Sequence, residues 1–265
     1  MTIKSKIKKL TTLALNPKIF ANKPQCLFIL SHMRSRSSLL SHVLGSNEGI
    51  CGYSESHNSY QSYYDLIKFK TALVQELESD FNEQYFLDKI LHNRLVMTKN
   101  MLDFIEPKVI FLLREPESTI KSIINMGRKT NVDWYQDPKM ATEYYCSRLM
   151  QLKEYGQWLN GGYYVLDSEQ LVDNTDDILP KISQWLELKK PLVKQYKKFD
   201  KTGKIGYGDP SAEILRGEIK KTQGYPEISL PESQRQKGQQ VFEQVYHYLT
   251  KNQQVLSPNQ EMDLV

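Results

Sequence analysis

The chain has 265 residues, 40% of them hydrophobic and 25% charged, with a formal net charge of +4. That length suits one large α/β domain rather than two, and so small a positive balance excludes nucleic-acid binding by bulk electrostatics while suiting a small polyanionic ligand. No apolar run reaches the roughly 18 residues of a membrane span and no signal-peptide pattern is visible, so the expected location is cytoplasmic.

Residues 1–24 stand apart. They carry Lys4, Lys6, Lys8, Lys9, Lys18 and Lys23 and no acid, and Ile3, Ile7, Leu10 and Ala14 recur at helical spacing. A solvated leader helix packed by one edge is the favoured reading; an interfacial helix touching anionic lipid is the alternative. The domain proper then runs over 25–265. After Pro24, the short apolar run Cys26–Ser31 reads as a buried parallel strand. It leads into a helix with Leu39, Leu40, Val43 and Leu44 on one face and Gly45 as its stop. A helix is expected over about Ser59–Glu78, a strand over Leu95–Lys99, and the clearest strand after the first over Lys108–Arg114. Pro116 sits in the first turn of the next helix. A long helix follows over Pro138–Leu159, then a strand over Tyr163–Asp167, and a last helix near Ser233–Lys251. Strands and helices alternating with short connections imply a parallel sheet with helices on both faces. Cys26, Cys51 and Cys146 are odd in number and widely spaced; they form neither a metal knuckle nor a CxxC pair, which fits reduced thiols.

Two segments carry chemistry. A strand that passes through a tight loop into a helix makes an anion site, because the helix start offers unpaired N–H groups and the positive end of a dipole. Here the loop is Ser31-His32-Met33-Arg34-Ser35-Arg36-Ser37-Ser38, with two guanidinium forks and several hydroxyls at the helix start. A capped helix with surface arginines would explain one serine, not the cluster. The loop is not the Walker pattern G-x-x-x-x-G-K-[ST], which argues against a P-loop kinase. The second segment repeats the logic: Arg114 ends a strand, Pro116 starts a helix, and Ser122 lies eight residues after Arg114, about two helical turns on, so that it faces back toward the strand end. The competing reading is a salt-bridged strand end with a serine bonded to its own helix backbone.

These two segments together resemble the PAPS-dependent sulfotransferases, whose donor is 3′-phosphoadenosine 5′-phosphosulfate. Their 5′-phosphosulfate loop runs basic residue, Ser, Gly, Thr/Ser, Thr/Ser. Arg34 falls on the basic position, Ser35 on the Ser, and Ser37 and Ser38 on the hydroxyl pair. Arg36 stands where that pattern has Gly, which requires a local backbone that avoids φ > 0 and a side chain turned away from the phosphates. Arg114 and Ser122 match the pair that holds the 3′-phosphate. "YYVLDSEQLV" looks like the family's strand-then-"YExLV" segment. Gly203–Ile219 resembles the loop that closes over the 3′-phosphate and adenine, with Gly203, Gly206 and Gly208 allowing close approach and Lys201 and Lys204 as candidate cations. The resemblance covers roughly residues 25–220 and implies a P-loop NTPase-like sulfotransferase fold, a three-layer α/β structure.

What it implies about chemistry follows from the reaction. Sulfuryl transfer needs in-line positioning, a base for the acceptor hydroxyl and a cation at the leaving oxygen. Glu55, 21 residues after Arg34, is the leading base, as some sulfotransferases place their catalytic Glu at about this point. His57 is the rival and His92 the third choice, while His32 orients the loop. Arg34 and Lys99 are the expected leaving-group cations, since "TKN" at Thr98–Asn100 resembles the family's "K-[ST]-P" element. No metal is implied, as no carboxylate cluster has ligand spacing. The expected donor is PAPS and its product PAP; the expected acceptor is a small molecule, glycan or lipid, and no nucleic-acid partner is expected. Tyr53, Tyr60, Tyr63, Tyr64, Tyr144 and Tyr145 either line an acceptor groove or pack. The alternatives are a nucleotide-dependent kinase and a PAP-binding protein without a base.

Overall fold

The computed structural model describes residues 11–21, 24–159, 162–204, 206–221, 224–225 and 227–253. Five strands, β1 (Gln25–Ser31), β2 (Ile50–Cys51), β3 (Tyr85–Ile90), β4 (Lys108–Leu113) and β5 (Tyr163–Asp167), form one parallel sheet in the order β2-β3-β1-β4-β5. Side chains alternate across it as the strand period demands. Cys26, Phe28 and Leu30 share one face with Val109, Phe111 and Leu113, whereas Leu27 and Ile29 share the other with Ile110 and Leu112.

Helices cover both faces. The first face packs on α2 (Tyr63–Leu77), α3 (Lys99–Ile105), α4 (Pro116–Thr130), α6 (Pro138–Trp158) and α9 (Glu232–Asn252); the second packs on α1 (Ser37–Gly45), α7 (Ser168–Asp173) and α8 (Thr175–Trp185), and the short α5 (Asp133–Gln136) lies against α4. The expected three-layer architecture is the one that forms. Because the chain leaves β1 toward β2 and leaves β4 toward β5, the order of strands reverses between β1 and β4, and the carboxyl ends there frame a crevice.

One expected strand is corrected. Residues 95–99 make only a single bridge, Met97 with Tyr60. Thr98 instead caps α3 by accepting from the Met101 N–H at 3.3 Å, and Lys99 opens that helix. The strand beside β1 is Tyr85–Ile90, fully buried although Asp88 and Lys89 interrupt its apolar pattern. Of the basic leader, residues 11–15 are helical and the 3-10 turn Pro17–Phe20 puts Ile19 against Ile67 and Val74. Lys4, Lys6, Lys8, Lys9, Lys23, Ile3, Ile7 and Leu10 lie outside the described residues. Among the described residues no helix is long and apolar enough to cross a membrane.

Helix α6 fixes the strand ends from below. Arg148, fully buried, donates Nε to the Ser31 carbonyl at 2.8 Å and Nη2 to the Ile90 carbonyl at 2.5 Å, while Nη1 bonds the Gln151 side chain. Tyr145 donates to the Arg114 carbonyl at 2.7 Å, and Tyr144 donates to the Leu91 carbonyl at 2.9 Å while accepting from the Met33 N–H at 3.0 Å. Arg148→Met should therefore destabilise the fold by about 2–4 kcal/mol, because it strands two buried carbonyls. Denaturant unfolding of the two proteins measures this; equal midpoints would show that the clamp contributes nothing.

Candidate active site

The β1–α1 loop places its polar groups unequally. Ser35 is buried, its Oγ 2.6 Å from the Ser31 Oγ, so it braces the loop. His32 is buried against Tyr145; its Nδ1 lies 2.9 Å from the Met33 carbonyl, and its Nε2 accepts from the Arg114 N–H at 3.1 Å. One imidazole thus couples the loop after β1 to the strand end of β4. Ser37 and Ser38 open α1, whose start has no side-chain cap, leaving N–H groups free to meet an anion. Arg34 spans the crevice: its Nε donates to Ser122 Oγ at 3.0 Å, and its Nη1 lies 3.4 Å from Asp209 Oδ1.

Beside α1 stands a residue that no motif in the sequence marks. Lys89, buried near the end of β3, donates Nζ to Ser38 Oγ at 2.9 Å and lies 3.8 Å from Glu55 Oε1. Burial pushes its pKa down, and Glu55 is the largest influence pulling it back. Glu55 Oε2 also lies 3.7 Å from His57 Nδ1 and 3.9 Å from His92 Nε2. The carboxylate is therefore ringed by an ammonium and two imidazoles, and burial holds His92 below its ordinary value despite Glu55.

Two constraints put Glu55 there. Gly52 has φ +125°, and a Cβ on it would meet the Leu87 carbonyl oxygen at 2.2 Å, so only glycine lets the chain after β2 run this close to β3. Buried Asp88 then accepts from the Ser56 N–H at 3.0 Å, the Ser56 hydroxyl, and the Tyr60 hydroxyl at 2.7 Å, pinning the residue between Glu55 and His57.

At the end of β4, Arg114 donates Nη1 to the Arg34 carbonyl at 3.1 Å and Nε to Glu169 Oε1 at 3.1 Å. The other Glu169 oxygen lies 2.6 Å from Arg36 Nη1, which also donates to the Ser168 carbonyl at 3.0 Å. Burial alone would raise Glu169, but the two guanidinium groups overcome it and hold its pKa below the ordinary value. The expected backbone at Arg36 is corrected: its φ is +65°, the left-handed region. The turn from loop into α1 needs that conformation at the cap position, and arginine takes it at a cost of about 1 kcal/mol. Its side chain lies against α7.

Residues 206–211 lie against this cluster. Gly208 has φ +141°, and a Cβ there would sit 2.8 Å from Ser38 Oγ and 3.1 Å from Lys89 Nζ. The Asp209 N–H donates to Ser38 Oγ at 2.9 Å, and the Gly206 carbonyl lies 2.5 Å from His57 Nε2.

Some expected residues lie apart. Lys99, expected as a leaving-group cation at a strand end, is half exposed and paired with Asp103 on its own helix at 2.6 Å; the lysine beside Ser38 at the start of α1 is Lys89, on β3, the strand that pairs with β1. Lys204 is exposed in a turn, and Lys201 pairs with Glu76. Of the tyrosines, Tyr53, Tyr60 and Tyr145 are buried and bonded into the framework, and Tyr144 braces two strand ends. Tyr63 remains partly exposed, edge-on to Phe104. A signal for Lys89 was present: two charges inside an otherwise apolar six-residue strand.

No family model and no curated protein sequence matches the chain. Solved structures do. A sulfotransferase domain from the curacin biosynthetic pathway superposes with a TM-score of 0.62 at 19% identity, covering 84% of this chain and 98% of that one. The chain has the sulfotransferase fold. A sulfotransferase domain from the Synechococcus PCC 7002 olefin synthase superposes with a TM-score of 0.60 at 18% identity, covering 84% and 94% of the two chains.

Within this sulfotransferase fold, two imidazoles serve as neutral struts. Burial lowers His32 to about 3 and His42 to about 4; His42 spans the Ser38 carbonyl at 2.7 Å and Thr202 Oγ1 at 2.9 Å. Below the ordinary histidine value of about 6.5 the unfolded chain takes up protons that the folded chain refuses, so stability is full above that value and falls with acidification toward the folded pKa. Each imidazole should cost about 2 kcal/mol between pH 7 and 5. Unfolding of His32→Gln at pH 7 and 5 should show a shallower pH dependence than the native chain; an unchanged slope would place the His32 pKa elsewhere.

Proposed function

We propose that this chain moves a sulfuryl group from PAPS to an acceptor hydroxyl of a carbohydrate, lipid or other small metabolite. The observation that carries the reading is the contact chain Ser38–Lys89–Glu55 at an uncapped helix start. It joins a cation suited to a leaving oxygen with a carboxylate suited to a hydroxyl proton. The anion-binding groups around it fit a donor with charge at two ends: α1, Ser38 and Lys89 at one, and Arg114 and Ser122, reached by Arg34, at the other. The donor supplies the sulfuryl group and the phosphate oxygen from which it departs.

In this reaction Glu55 accepts the acceptor's proton as the acceptor oxygen bonds to sulfur. Lys89 and the α1 N–H groups stabilise the negative charge left on the phosphate oxygen as its bond to sulfur breaks. His57 and His92, both beside Glu55 Oε2, are placed to pass the proton outward. A Glu55 turned toward Lys89 favours an enzyme over a PAP-binding protein without a base. The lysine at the helix start comes from β3 rather than from the loop, which separates the site from the Walker arrangement.

Calorimetric titration with PAP and with ATP–Mg²⁺ tests the donor: PAP should bind and ATP–Mg²⁺ should not, and the reverse would overturn the reading in favour of a kinase. Glu55→Gln should cut turnover, measured with labelled PAPS and an acceptor panel, by about 10²–10⁴-fold while PAP binding stays near that of the native chain. A fully active Glu55→Gln beside an inactive His57→Ala or His92→Ala would move the base to that histidine. Lys89→Met should lower turnover more than it lowers PAP affinity, because its charge matters most as the leaving oxygen gains its own. Equal losses would make Lys89 a binding residue only.

A further inference from the structure

Arg36 departs from the small residue that its loop position resembles, and the structure gives that departure a use. Its guanidinium and that of Arg114 grip the two oxygens of one carboxylate, Glu169, at 2.6 and 3.1 Å. Arg114 is nearly buried, and after burial itself Arg36 is the largest influence lowering its pKa, so the two cations sit close enough to act on each other. Without Arg36, Glu169 would face Arg114 alone. A buried guanidinium with its own carboxylate is already satisfied, and an incoming phosphate would then meet a neutral pair with a negative group at its edge. With Arg36 present the three groups carry one net positive charge.

We propose that Arg36 is a positioning residue that sets discrimination for a 3′-phosphorylated nucleotide: by holding Glu169 it leaves the Arg114 charge available to the 3′-phosphate. This rests on the donor reading above. It also accounts for an arginine at φ +65°, since the Glu169 ion pair and the Ser168 carbonyl offset the backbone strain that glycine would avoid.

The test compares PAP with AMP, which keeps the adenosine and 5′-phosphate and lacks the 3′-phosphate. Arg36→Gly is compatible with the left-handed backbone and should fold. Its preference for PAP over AMP should fall by about ten- to a hundredfold relative to the native chain, through loss of PAP affinity with AMP affinity little changed. In Arg36→Gly/Glu169→Gln the preference should return to near the native ratio, because the competing carboxylate is gone. An unchanged ratio in Arg36→Gly, or a double variant as poor as the single one, would overturn the proposal while the donor reading stands. A native chain that binds PAP no better than AMP would overturn both.

Discussion

The site depends on how a parallel sheet ends. Where β1, β3 and β4 finish, their last carbonyls lose the neighbours that bonded them, and the chain is free to leave in many directions. Helix α6 removes that freedom. Arg148, Tyr144 and Tyr145, on consecutive turns of one buried face, meet the carbonyls of Ser31, Ile90, Leu91 and Arg114. Those four residues adjoin His32, Lys89, His92 and Arg114 itself, so one helix sets the exit of three strands. A bound polar group inside a low-dielectric core holds its geometry firmly, because the alternative is an unpaired group with no water to turn to.

Upon that frame sits an arrangement of charge with little slack. Arg34, Lys89, Arg114, Arg36 and Arg148 gather near the carboxyl edge of the sheet, and Glu55, Asp88, Asp209 and Glu169 are threaded between them. Each carboxylate has a distinct task. Asp88 anchors the segment that carries Glu55. Glu169 links the turns after β1 and β4 through Arg36 and Arg114. Asp209 folds the glycine loop onto Arg34 and Ser38. Packing cations this close is costly unless carboxylates separate them, and the same crowding makes the crevice attractive to a polyanion.

Loop closure bears on the site through glycine. Gly208 lies where any side chain would strike Ser38 and Lys89. His57, itself at φ +52°, takes the Gly206 carbonyl on one ring nitrogen and faces Glu55 with the other. The loop and the carboxylate therefore share one imidazole, which ties the position of the loop to the surroundings of Glu55.

Local pattern was enough for β1, β4 and β5, for the strand-to-helix turn from Arg34 to Ser38, and for a Ser122 that faces back toward the strand ends, where it meets Arg34, because each is written in consecutive residues: apolar runs, a turn, a fixed spacing on a helix. Glu55 is singled out in the sequence by distance along the chain; its neighbours Lys89, His57 and His92 come from the fold. What sequence periodicity misjudged is equally physical. Tyr85–Ile90 hides its strand character behind Asp88 and Lys89, which are tolerated in the core only because Ser56, Tyr60, Ser38 and Glu55 come to meet them from elsewhere. Leu95–Lys99 looks like a strand but has no neighbour to pair with over its length. Arg36 could not be placed without Glu169, which lies far along the chain. The sequence by itself determined the layers and the two strand-to-helix turns after β1 and β4, since those follow from local propensity and periodicity. Only the tertiary structure decided which lysine stands at the helix start and which carboxylate meets it, because a buried charge takes its partners from whatever the fold brings beside it.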